Sequence, residues 1–100
     1  TDATYRRKGR PMSLDDKRAY FDGIAGLWDQ WMNPDSIAER LRPEVAAFGI
    51  EPDESVVDIG CGTGNLTRVL LERLSEKGRV IAVDLSEEML AIARKKNPDN

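Results

Sequence analysis

An apolar run, Val56-Val57-Asp58-Ile59, gives way to Gly60-Cys61-Gly62-Thr63-Gly64, and a second apolar run, Val80-Ile81-Ala82-Val83, delivers an acid, Asp84. These segments constrain the chain more than anything else in it. The layout is strand, glycine-rich turn, helix, strand, acid. Glycines there let the backbone turn sharply and approach a ligand where a Cβ would collide. An acid about twenty residues on, at the C-terminal edge of a parallel strand, suits hydrogen bonding to a ribose. The expected fold class is therefore α/β, a Rossmann-like parallel sheet.

The dinucleotide fingerprint is G-x-G-x-x-G, and Asn65 stands where its third glycine would fall. Asp58, just before the turn, would repel a pyrophosphate, which wants the positive end of a helix. It would suit a ligand with positive groups and no phosphate. S-adenosylmethionine, with its ammonium, sulfonium and adenosine, is such a ligand.

The segment VVDIGCGTGNLT resembles the first motif of class I S-adenosylmethionine-dependent methyltransferases. VIAVDLSEEMLAIARKK resembles their second cofactor segment, with Asp84 as the ribose-binding acid. Tyr20-Phe21-Asp22-Gly23-Ile24-Ala25 is similar to the entry segment of the quinone-biosynthesis-like members, methyltransferase type 11. The resemblance implies cofactor binding by Asp58, Gly60, Cys61, Gly62, Gly64, Asp84, Leu85 and Met89. It implies methyl transfer by in-line displacement, with a small-molecule acceptor. No catalytic residue can be assigned.

Several of these residues carry a plainer reading beside the functional one. Asp58 either caps the turn or attracts the cofactor's ammonium. Leu85 and Met89 are either core or an adenine contact. Cys61 reads as a small filler, with no basic partner to activate it. The aromatic stripe Tyr20, Phe21, Trp28 and Trp31 reads first as core. The alternative is that Tyr20, Phe21 and Trp28 close over the cofactor.

The chain has 100 residues, 33% of them charged, a net charge of −3, no histidine and one cysteine. That excludes an intrachain disulfide and a histidine-based triad, gives no metal-site pattern, and fits a reducing cytoplasm. No apolar run approaches a membrane span. The overall charge argues against a nucleic-acid partner, and the basic start (Arg6, Arg7, Lys8, Arg10) reads as a solvated arm.

The expected organisation is a flexible basic arm over 1–12, N-terminal helices over 13–50 that could cover the cofactor, and the first part of the cofactor-binding domain over 51–100. Gly23 and Gly26 are expected to weaken or break the first helix, and Pro43 to kink or divide the second. The continuity of Val80–Val83 predicts a parallel strand covered on both faces. A class I fold has about seven strands by resemblance, and only two are legible. The expectation is thus the N-terminal part of a longer protein, inactive by itself, with self-association through an uncovered sheet edge. Two alternatives stay open: a nicotinamide- or nucleotide-dependent oxidoreductase domain, and a truncated, non-enzymatic binding module.

Overall fold

A computed structural model describes residues 1–5, 9 and 11–98. The basic cluster of the expected arm, Arg6, Arg7, Lys8 and Arg10, lies outside the described residues. In chain order the elements are α1 (Leu14–Trp31), α2 (Pro34–Ala47), β1 (Ser55–Ile59), α3 (Asn65–Arg73), β2 (Arg79–Val83) and α4 (Glu87–Lys96). β1 and β2 pair in parallel, from Ser55 opposite Arg79 to Ile59 opposite Val83. This is a partial Rossmann-like fold, its strands joined through α3.

Local chemistry explains where the helices begin. Ser13 and Asp16 form a reciprocal capping box at α1, each side chain accepting the other's backbone N–H at 3.0 Å. Asn33 accepts from the Ser36 N–H at 3.2 Å, and Pro34 occupies the first turn of α2, where its missing N–H costs nothing. Ser86 accepts from the Met89 N–H at 3.1 Å to open α4.

Neither helix is divided at the expected places. α1 runs unbroken through Gly23 and Gly26, and α2 runs through Pro43. Each glycine costs a helix about 1 kcal/mol. Packing outweighs that: α1 lies along α4, and α2 along α3. Pro43 is exposed, while Ala38 and Val45 of the same helix are fully buried.

The core lies between the helices and one face of the sheet. Ala38, Val45, Val69 and Leu70 are buried at its centre, and Val56 and Val80, partners across the parallel ladder, pack against them. The other face is open. Val57, Ile59, Ile81 and Val83 are 54%, 82%, 43% and 47% exposed. The expected cover on both faces is therefore absent among the described residues; the helices lie against a single face.

Charge pairs reinforce the helix layer. Arg42 on α2 grips Glu72 on α3 through two N–H···O bonds of 2.9 and 3.0 Å, and Arg68 on α3 reaches Asp35 on α2 at 2.9 Å. The hydrogen bonds from Arg42, helped by its charge and that of Arg68, hold the Glu72 carboxyl below its ordinary 4.5 despite some opposing desolvation. A group depressed on folding stabilises the fold fully above its unfolded pKa and loses that contribution as pH falls through the folded value. Both side chains are half exposed, so the effect is small. We expect Glu72→Gln to be slightly less stable than wild type at pH 7. The gap should close as denaturation is repeated at pH values progressively below 4.5; a constant gap would remove the ion pair from the account.

Candidate cofactor site

Where β1 ends, its chain is tied to the end of β2. The N–H groups of Gly60 and Cys61 both donate to the Val83 carbonyl, at 2.7 and 3.0 Å. The turn that follows is left-handed at every other residue: φ is +73° at Gly60, +57° at Gly62 and +85° at Gly64. L side chains rarely adopt this conformation, which is why the glycines alternate.

The three glycines play different parts. A Cβ at Gly60 or Gly62 would meet nothing within 4 Å, so open space lies in front of both. A Cβ at Gly64 would come within 2.7 Å of Asn97 Nδ2 and 3.1 Å of Ala93 Cβ. Gly64 thus lets α3 start against the end of α4. Gly78, just before β2, also permits a close approach, since a Cβ there would lie 2.5 Å from the Pro52 carbonyl oxygen.

Asp84 joins the turn to α4. One carboxylate oxygen accepts from the Gly62 N–H at 2.8 Å and the other from the Ser86 N–H at 2.9 Å. Each oxygen has a further lone pair free for another donor. Asp58 is buried and accepts a 2.7 Å bond from the Thr67 hydroxyl, which fixes it against α3.

In front of the turn lies a cavity of about 310 Å³, lined by Lys17, Phe21, Trp28, Gly60, Gly62, Asp84, Leu85 and Met89. Its size and its apolar walls with few polar groups are those of a small-molecule site. Five of the residues read from the sequence as cofactor contacts meet here: Gly60, Gly62, Asp84, Leu85 and Met89. Asp58, Cys61 and Gly64 do not line the cavity: Asp58 is buried in β1, and Cys61 and Gly64 belong to the turn itself. A larger groove of about 730 Å³ runs over β2 between α3 and α4, but neither Asp84 nor any glycine of the turn lines it.

The negative field at the turn is legible in Cys61. Burial first, then the charges of Asp58 and Asp84, push its thiol up to about 11. The thiol stays protonated at neutral pH and is a poor nucleophile.

The aromatic stripe of α1 divides. Ala25 is the buried residue of that helix, whereas Tyr20 and Trp31 are 54% and 58% exposed. Phe21 and Trp28 form one wall of the cavity, edge to face with centroids 6.5 Å apart, and Tyr20 meets Phe21 edge-on at 5.3 Å. Sequence reasoning missed Lys17 as a lining residue. It also missed Asp22 and Asp29, which hold α1 in place: Asp22 accepts from the Ser86 hydroxyl, and Asp29 from the Thr63 hydroxyl at 2.7 Å and from Lys96 at 2.9 Å. Their spacing of two helical turns on a face shared with apolar residues was the available signal. Among the described residues no group of acids, cysteine or histidine could hold a metal ion.

The glycines allow a direct test. We expect Gly64→Ala to destabilise the protein by at least about 1–3 kcal/mol from backbone strain alone, with the clash against α4 added. Gly23→Ala has ordinary helical φ and open space, and should stabilise by roughly 0.4–1 kcal/mol. Urea denaturation of the two variants should therefore move in opposite directions.

The sequence of this segment matches known proteins. A family profile described as a methyltransferase domain matches residues 56–100. A demethylmenaquinone methyltransferase of Symbiobacterium thermophilum is 35% identical over 94 residues, covering 87% of this chain and 38% of the relative. A trans-aconitate 2-methyltransferase of Acidovorax ebreus is 42% identical over 74 residues, 71% of this chain and 28% of the relative. A 2-phytyl-1,4-naphtoquinone methyltransferase of Thermosynechococcus vestitus is 34% identical over 83 residues, 80% and 37% respectively. The chain thus spans well under half the length of these relatives. With the glycine-rich turn and Asp84 inside the matched segment, the chain belongs to the methyltransferase family and carries an N-terminal part of its Rossmann-like fold.

Proposed function

We propose that this chain supplies the S-adenosylmethionine site of a class I methyltransferase acting on a small-molecule acceptor in the cytoplasm. The observation that carries the reading is the cavity of about 310 Å³ in front of Gly60 and Gly62, with the Asp84 carboxylate in its wall. The residues present fit the cofactor. Open space faces the two glycines, Asp84 keeps lone pairs for ribose hydroxyls, and Leu85 and Met89 offer apolar surface for adenine. Asp58, buried in β1, contributes charge that favours the ammonium and sulfonium. Cys61 and Gly64 contribute through the shape of the turn.

When bound, the cofactor supplies an activated methyl group for in-line transfer to a nucleophilic atom of the acceptor. What this chain's residues do is bind, orient and exclude water, and positioning of that kind is a large share of such catalysis. Phe21 and Trp28 would shield the reacting end from solvent. Relatives named for quinone-type and trans-aconitate substrates support a small-molecule acceptor. The open apolar face of the sheet would be covered by the remainder of a full-length domain, or by a second copy of this chain.

Calorimetric titration of the full-length protein with S-adenosylhomocysteine, with NAD as control, tests the reading. Binding of S-adenosylhomocysteine alone is expected; binding of NAD alone would replace it with the oxidoreductase reading, and no binding by folded protein would favour a non-enzymatic module. Asp84→Asn should weaken S-adenosylhomocysteine by about tenfold or more, the scale of a lost charged hydrogen bond. Unchanged affinity in a folded variant would remove Asp84 from the ribose.

A further inference from the structure

Lys96, at the last position of α4, is the centre of a junction that neither the glycine motif nor the aromatic wall requires. A lysine ammonium has three donors, and here each has a partner: Asn65 Oδ1 at 2.7 Å, Asp29 Oδ2 at 2.9 Å and Thr63 Oγ1 at 3.3 Å. The Thr63 hydroxyl in turn donates to Asp29 Oδ1 at 2.7 Å. One cation therefore binds α1 through Asp29, the glycine-rich turn through Thr63, the start of α3 through Asn65, and α4 through its own backbone. The ion pair is largely sheltered, with the two side chains 23% and 27% exposed, so solvent and salt screen it less than a surface pair.

Its position matters more than its strength. Asp29 follows Trp28 directly, and Thr63 sits between Gly62 and Gly64, so the junction grips the aromatic wall and the glycine cradle from behind. Neither Lys96 nor Asp29 lines the cavity. At the other end of the same wall, Asp22, next to Phe21, accepts from the Ser86 hydroxyl at the start of α4. α1 is also tied through Arg18, which donates to the Leu85 carbonyl at 3.4 Å, but of these contacts the Lys96 junction alone also holds the turn.

We propose that Lys96 is a positioning residue: through Asp29 and Thr63 it fixes the α1 wall against the glycine-rich turn and so sets how long the cofactor stays bound, without touching it. This rests on the reading that the cavity takes S-adenosylmethionine. Opening the wall requires breaking the Asp29 pair, so ligand exit and loss of the junction should be one event.

The test uses the full-length protein and the variants Lys96→Met, Asp29→Asn, their double, and Lys96→Arg. Stopped-flow competition reads the dissociation rate of S-adenosylhomocysteine, and hydrogen exchange without ligand reads the α1 and turn amides. Lys96→Met should speed dissociation by roughly tenfold, the scale of a charge-assisted hydrogen bond. The double variant should be little worse than the more severe single, because both break one junction. Lys96→Arg, which keeps the charge, should recover part of the loss. Exchange over α1 and the turn should quicken in Lys96→Met and Asp29→Asn alike. A folded Lys96→Met with wild-type dissociation and exchange, or with a lower melting temperature as its only change, would overturn the proposal. Wild-type protein that does not bind S-adenosylhomocysteine would instead sink the cofactor reading, and the exchange data would still decide whether the junction holds α1 to the turn.

Discussion

One carboxylate connects the parts of this structure that matter. Asp84 stands just past β2, and its two oxygens accept the N–H groups of Gly62 and Ser86. The first contact holds the glycine-rich turn that leaves β1; the second sets the start of α4. Because β1 and β2 are parallel and in register, both chain ends arrive at one edge of the sheet, and a single side chain can reach both. The cavity lies where these segments meet, with Leu85 and Met89 carried into it by the chain that Asp84 orients.

The site has a second support of a different kind. Backbone contacts shape the glycine cradle, whereas the opposite wall belongs to α1, which packs on α4 and is fastened by side chains. Hydrogen bonds made by carboxylates and an ammonium are stronger than neutral ones but lose more when a partner is removed. The cradle is therefore set by left-handed backbone held against Val83 and Asp84, and the wall by side-chain contacts between α1 and the segments it packs on.

Particular residues show what was readable in advance. The strands and the turn were legible because each is a local matter: alternating left-handed residues need glycine, and a short apolar run bounded by turn residues reads as a strand. The caps at Ser13, Asn33 and Ser86 are local in the same way, each side chain accepting the backbone N–H three residues on. The continuity of α1 through two glycines and of α2 through Pro43 was not, because helix packing outweighs local propensity. The aromatic stripe on α1 gave a periodicity that fits core and cavity wall equally well. Only the contact with α4 places Ala25 inside and leaves Phe21 and Trp28 lining the cavity.

The sequence by itself determined the parallel two-strand unit, the glycine-rich turn and the acid at the end of β2, since these follow from backbone conformations that few residues permit. Tertiary structure decided which of those residues share a cavity, which face of the sheet stays open, and that Asp29, Thr63, Asn65 and Lys96 form one junction. These are matters of distance between segments remote in the chain. A lysine near a helix end and an aspartate on another helix give no sign in one dimension that they meet.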